Sequence, residues 1–274
     1  AITLNGSHHG REWITSSVLM AMIDRYVLAY YRGEILDGYD VYDLLNRVSL
    51  HIVPMVNPDG VSLAQSGAAS APNRVRVLAL NGGSANFCGW KANGRGVDLN
   101  RQYPANWETI ERQAPWPGPW NYRGAAPLTE PEAQAMAAFT RRHRFALHAA
   151  LHSSGEVIYW HFYQRGELFS RTARIAHHIQ TLTGYRRIPP RSYESGGGYK
   201  DWVVQTYGVP AFTVEVGRYT GEKAVPLAQY PRIWGQVRAL GLLLAREAVE
   251  PSRSPHMLCG TLDGRGVITG DNPE

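Results

Sequence analysis

The stretch Leu4-Asn-Gly-Ser-His-His-Gly-Arg-Glu12 sets His9 and Glu12 three residues apart at the end of a short apolar run. An imidazole and a carboxylate on one turn can hold a divalent metal. One more histidine from elsewhere completes the ligand set of an open catalytic zinc site, whose fourth position is left to water. His152 closes a second apolar run, residues 146 to 151, and is the candidate third ligand. The His9/Glu12 pair alone is weak evidence, because an acidic first turn also suits an ordinary exposed helix start. His8 could substitute for His9 but stands four residues from Glu12. His148, deeper in the second run, reads as a buried, hydrogen-bonded histidine.

A metal-activated water needs a base, and Glu215 ends the run Ala211-Phe-Thr-Val. A carboxylate there is expensive to bury without a partner or a task; a structural salt bridge is the alternative. In Lys91-Ala-Asn-Gly-Arg-Gly-Val-Asp-Leu-Asn-Arg-Gln-Tyr-Pro104, glycines alternate with polar groups, which lets Asn100 and Arg101 reach into a cleft. Arginine suits a carboxylate because it offers two parallel N–H donors. Asp98 could accept from the second ring N–H of a ligand histidine. Tyr193 precedes Gly196-Gly-Gly198 in a stretch that reads as a mobile loop able to carry a phenol over a bound substrate.

These residues need elements to hold them. Apolar runs at residues 2 to 4, 48 to 56, 146 to 151 and 211 to 216 alternate with helical patterns, which predicts an α/β layered fold with a largely parallel sheet buried on both faces. Ligands gather at the carboxyl ends of strands in such sheets. Three of the four runs end in the groups named above. Helical periodicity covers residues 14 to 31, 171 to 182 and 233 to 249. Thr129-Glu-Pro-Glu132 reads as a capping box before a helix over 133 to 144, with proline in the first turn where its missing N–H is harmless. Residues 61 to 125, rich in Gly, Pro, Asn and Trp, form a long irregular excursion of the kind that carries function. A single domain over residues 1–274 is expected.

Composition narrows the classes. The net charge is +5, but the arginines are scattered and only Lys91, Lys200 and Lys223 are lysine, so no nucleic-acid stripe forms. No stretch reaches the ~18 apolar residues of a membrane span, so no membrane insertion is expected. No obligate protein partner is evident. Cys88 and Cys259 lie far apart without a Cys/His cluster, which excludes a thiolate zinc site. They could pair or remain two thiols.

The ordered set His9/Glu12, Asn100/Arg101, His152, Tyr193 and Glu215, spread over residues 4 to 217, resembles the zinc carboxypeptidase family of carboxypeptidase A. Within that family, RGVDLNRQYP, LHSSGEVIYWHF, SGGGYKDW and VEVGRYTGEKAVPL are similar to the bacterial γ-D-glutamyl-L-diamino acid endopeptidases of peptidoglycan. The resemblance implies one Zn2+ held by His9, Glu12 and His152, with Glu215 as general base. It further implies that Asn100 and Arg101 bind a substrate carboxylate while Tyr193 closes over the site. The implied fold is three-layer α/β/α around a mixed, mostly parallel sheet of about eight strands. A strand pair ordinarily precedes the first histidine strand, and the few residues available here predict a lower count or a missing segment.

Where digestive relatives carry an arginine to polarise the scissile carbonyl, this chain has Trp90-Lys91-Ala92-Asn93, leaving Lys91 or Arg95 as the donor. Lys200 falls at the pocket for the side chain after the cleaved bond and predicts an anionic group there, such as the distal carboxylate of diaminopimelate. Pairing with Asp201 on a solvated turn is the alternative. The implied activity is hydrolysis of the γ-D-glutamyl-diaminopimelate bond of peptidoglycan-derived peptides; a metallocarboxypeptidase trimming C-terminal residues is the second reading. Wall substrates imply a secreted or wall-associated protein, and cytoplasmic recycling would use the same chemistry.

Overall fold

The computed structural model describes residues 1–191 and 193–249. Cys259 lies outside the described residues, and so does the question of its pairing with Cys88, which is exposed.

The chain opens on β1 (Ile2–Gly6) and turns into α1 (Ile14–Arg32), which stops at Gly33 in the left-handed conformation with its N–H returned to Ala29 and Tyr30. A short hairpin, β2 (Ile35–Leu36) and β3 (Tyr39–Asp40), leads to α2 (Val41–Arg47), capped by the Asp40 carboxylate, and then β4 (Leu50–Val53). Next come α3 (Pro58–Ser66), α4 (Arg74–Leu80), α5 (Pro131–Arg142), β5 (His148–His152) and β6 (Val157–Tyr159). The remainder is α6 (Gly166–Thr183), β7 (Arg186–Arg187), α7 (Tyr199–Tyr207), β8 (Ala211–Glu215), α8 (Tyr230–Val237) and α9 (Leu240–Val249).

Six strands form the main sheet in the order β4-β1-β5-β8-β6-β7. β4, β1, β5 and β8 are parallel, β6 runs antiparallel to β8, and β7 is parallel to β6. The sheet is therefore mixed and mostly parallel, with helices on both faces and six strands, short of eight, among the described residues. Alternation along the strands divides the core. Ile2, Leu4, Ala149, Leu151, Phe212 and Val214 face α1, α6, α8 and α9, whereas Ala150 and Ala211 join Met136, Tyr199 and Trp202 of α5 and α7 on the other face. A third cluster, including Leu63, Val77, Phe87 and Trp90, sits under α3 and α4.

Four expectations change. The helix over 233 to 249 is two helices, because the Tyr26 hydroxyl donates to Arg238 O (2.6 Å) and accepts from Gly241 N (3.2 Å), entering the ladder at the break. The excursion contains α3 and α4. Thr129 does not cap α5: Glu130 holds that position with no side-chain cap, and the Thr129 hydroxyl is turned to Gln102 Oε1 (3.1 Å). Lys200 and Asp201 lie buried in the first turn of α7, not on a solvated turn.

Candidate active site

Ser7 bends the chain out of β1. It adopts φ 51° and is held there by buried bonds to Ser16 Oγ (2.8 Å) and Thr15 Oγ1 (3.1 Å). A tight turn over Gly10–Glu12 follows, pressed on α3 so closely that a Cβ on Gly10 would fall on the Gly60 carbonyl. Asn57 locks this arrangement: its Oδ1 caps α3 through Gly60 N (2.9 Å), and its amide donates to His8 O (3.1 Å) and Ala92 O (3.1 Å). Neither Asn57 nor Ser7 was singled out from sequence. The cap signature Asn57-Pro-Asp-Gly60 was the available signal for the first.

This frame brings His9, Glu12 and His152 together, one ligand atom from each lying within 4.8 Å of the others. Glu12 Oε1 is 2.8 Å from His9 Nδ1, and Glu12 Oε2 is 2.9 Å from His152 Nδ1. The two Nδ1 atoms are 3.2 Å apart. Asp98 Oδ1 stands 3.1 Å from His9 Nε2. Burial would raise the Asp98 carboxyl, but Lys91 and then His9 hold it well below the usual carboxylate range. An ionised Asp98 only accepts, so the His9 proton sits on Nε2 and Nδ1 presents its lone pair to the carboxylate and the second imidazole. Three electron-pair donors facing one another in a buried site require a proton or a cation between them. Two neutral imidazoles and one carboxylate are the donor set that suits zinc with a position left open.

The charges of the cluster agree. Burial would raise the Glu12 carboxyl, but His9 and His152 hold it well below its ordinary value. Burial lowers His152 despite Glu12, whereas Glu12 and Asp98 outweigh burial at His9 and raise it. Glu215 ends β8 in register with His152 of β5. Burial, followed by the charge of Glu12, pushes its carboxyl up to about 8.

His8 does not join the cluster. Its Nε2 is 3.0 Å from the Tyr103 hydroxyl and its ring stacks on His152 at 5.6 Å. His148 is buried against the Tyr199 hydroxyl (3.0 Å), and burial drives it down to about 3.

A cleft of about 140 Å³ beside the cluster is lined by His9, Lys91, Asp98, Asn100, Arg101, Ser195, Gly196, Gly198 and Asp201. Lys91 Nζ is 3.8 Å from Asp98 Oδ2. Asn100 Oδ1 accepts from Tyr199 N (3.0 Å), and Arg101 donates to Glu111 O (2.9 Å) and Asn121 Oδ1 (3.2 Å). An adjoining cavity of about 200 Å³ is lined by Asn100, His161, Arg191, Glu194, Lys200 and Asp201 among others. Lys200 Nζ pairs with Asp201 and donates to His161 O (2.8 Å).

Two candidates are not brought in. Asn93 accepts from the Arg95 and Val97 amides, a turn that sends the Arg95 side chain outward: it is 61% exposed, 4.0 Å from Glu130, and lines a separate cavity beside Asp59. The Arg95 side chain is thus not brought to the cluster. The Tyr193 hydroxyl donates to Thr109 O, which holds the phenol on the excursion and away from the cluster.

The family model described as zinc carboxypeptidase matches residues 1–236. Gamma-D-glutamyl-L-diamino acid endopeptidase 1 of Lysinibacillus sphaericus is 42% identical over 246 residues, covering 89% of this chain and 60% of that protein. The uncharacterised protein YqgT of Bacillus subtilis (strain 168) is 34% identical over 235 residues, 85% of this chain and 61% of its own. The chain thus spans about three fifths of the length of these curated relatives. Among solved structures, bovine thrombin-activatable fibrinolysis inhibitor in complex with tick carboxypeptidase inhibitor superposes with a TM-score of 0.71 at 18% identity, over 92% of this chain and 83% of that one, and shares the fold.

Proposed function

The chain belongs to the zinc carboxypeptidase family, and from that premise we propose that it is a zinc peptidase hydrolysing the γ-D-glutamyl-diamino acid amide bond of peptidoglycan peptides within one catalytic domain. The observation that carries this reading is the convergence of His9, Glu12 and His152 beside an acid, Glu215, in register with His152. The 42% identity to the Lysinibacillus sphaericus endopeptidase supports the choice of bond. When bound by His9, Glu12 and His152, zinc supplies a Lewis acid that lowers the pKa of water and polarises a carbonyl.

The chain's own groups do the rest. Glu215 takes the proton of the attacking water and passes it to the departing amine; burial first and the Glu12 charge second raise its carboxyl, and a metal held by His9, Glu12 and His152 would offset the second of these. Lys91, on the wall of the same cleft, is the cation that faces the developing oxyanion. Arg101 and Asn100 receive a substrate carboxylate. Tyr193 closes over the substrate only by giving up Thr109 O, a loop movement about Gly196-Gly-Gly198. The adjoining cavity takes the diamino acid side chain, with Lys200 and Arg191 supplying positive charge on its wall and Asp201 and Glu194 beside them. A substrate in the wall implies action outside the cytoplasm.

Mass spectrometry of γ-D-glutamyl-diaminopimelate tripeptide and of a blocked C-terminal dipeptide, each digested with and without chelator, tests this. Chelator-sensitive release of the diaminopimelate fragment is expected, with the blocked dipeptide left intact. Preferential hydrolysis of the dipeptide would turn the assignment to a carboxypeptidase.

A further inference from the structure

Away from the metal-ligand cluster lies an open groove of about 630 Å³ between the 80–90 segment and the proline-rich 114–120 segment. Its side chains are unusual for this chain. Trp116 is 77% exposed and Trp120 47%, and Trp90 forms part of the wall. None of the described residues lining it carries a carboxylate, an amine or a guanidinium, in a protein of net charge +5. Two uncovered indoles in one concavity are more exposed apolar surface than isolated surface residues explain, and mark a binding surface.

The polar groups define what fits. Asn81 spends its amide N–H groups on Ser84 O (2.8 Å) and Asn86 O (2.9 Å), and Asn86 Oδ1 accepts from Cys88 N (3.0 Å). These bonds fix both side chains while leaving one acceptor, Asn81 Oδ1, and one donor, Asn86 Nδ2, without a partner among the described residues. A ligand with flat apolar faces and neutral hydroxyl or acetamido edges matches indoles and amides; a charged peptide or a nucleic acid does not. Prolines 115, 117 and 119 restrict the backbone, so the groove is preformed.

The walls of the groove are tied to segments that line the cleft. Pro119 O accepts from both Lys91 N (2.9 Å) and Ala92 N (3.0 Å), fastening one wall to the segment that carries Lys91. The residue after Trp120, Asn121, accepts from Arg101 and donates its amide to Asp98 Oδ2 (3.2 Å). A polymer lying in the groove would present a branch to the cleft.

We propose that this groove binds the uncharged glycan from which the peptide substrate branches, a chain of N-acetylated hexosamines stacked on Trp116 and Trp120. The proposal rests on the wall-peptide reading above. It is tested by titrating peptide-free N-acetylchitotetraose into both chelated and zinc-loaded protein, followed by indole fluorescence, with Trp116→Ala and Trp120→Ala alongside and far-ultraviolet circular dichroism as the folding control. Saturable binding independent of zinc is expected, weakened by about 10-fold or more in either variant. In turnover, Trp116→Ala should lower kcat/KM for a disaccharide-linked peptide by a similar factor and leave the free tripeptide unchanged.

Absence of saturable binding, equal losses on both substrates, or occupation by an uncharged apolar peptide in place of the sugar overturns it. Oligosaccharide binding through Trp116 in a protein that cleaves neither peptide would leave this site standing and remove the reaction assigned above. Cleavage of both peptides without oligosaccharide binding does the reverse.

Discussion

At the scale of single residues the site is a balance of buried charges, and two side chains carry its testable chemistry. Glu215 has a folded-state value of about 8 against 4.5 ordinarily, so in the metal-free protein its contribution to stability is fully present below about pH 4.5 and is lost as pH rises toward 8. Glu215→Gln in the metal-free protein should therefore gain stability relative to the parent across that interval, read as a difference in melting temperature that grows from pH 4.5 to 8 and is flat above. In the zinc-loaded enzyme the same change should reduce kcat by about 10² to 10⁴ with zinc content unchanged, measured by turnover and elemental analysis. Asp98 Oδ1 stands 3.1 Å from His9 Nε2, where an ionised carboxylate favours the proton on that nitrogen. Asp98→Asn, an amide that can face that nitrogen as a donor, should weaken zinc affinity by about 10- to 100-fold in competition with a chromophoric chelator. The cluster of His9, Glu12, His152 and Glu215 was legible because histidines and acids at the ends of apolar runs are conspicuous. The outward direction of Arg95 was not legible, because the Asn93 turn that sets it is a hydrogen-bonding detail no spacing reveals.

At the scale of elements, what positions the site is the packing of backbone on backbone. β1, β5 and β8 were visible as apolar runs because a strand covered on both faces is almost wholly nonpolar. β6 and β7 were not: one has three residues and the other is Arg186-Arg187, so neither shows alternation, and their pairing comes from the sheet edge they extend. The reading of residues 192 to 202 as a mobile loop missed the start of α7, which is anchored from outside by Asn100 Oδ1 on Tyr199 N. Asn57 acts in the same way, joining the start of α3 to the carbonyls of His8 and Ala92. Asn57→Ala should cost several hydrogen bonds at once and leave buried acceptors unpaired, a loss of about 2 to 4 kcal/mol in urea unfolding. Because the Lys91 segment is held by this side chain, kcat/KM should fall further than stability alone accounts for when assayed well below the melting temperature.

At the scale of the whole molecule, the metal cluster sits at the carboxyl ends of strands whose other face is packed against α1, α6, α8 and α9 by a core containing no ionisable group of the site. The two regions meet through the sheet and through Thr15 and Ser16 of α1, which hold Ser7 and the Glu12 carbonyl. That layout predicts how the protein responds to metal removal. Zinc held by the carboxylate and two imidazoles of this cluster would stabilise the folded state by mass action. At a free zinc concentration about 100 times Kd the gain is about 2.7 kcal/mol, which for a chain of this size is a rise of roughly 5 to 10 °C in melting temperature. Chelation should abolish that increment and the activity together while far-ultraviolet circular dichroism stays unchanged, since the sheet and its helices do not require the ion. His152→Ala should melt at the chelated value with or without zinc, less the effect of its own cavity. Loss of secondary structure on chelation would instead mean that the ion organises the sheet itself, and the division of the molecule into a metal-independent core and a metal-organised rim would be wrong.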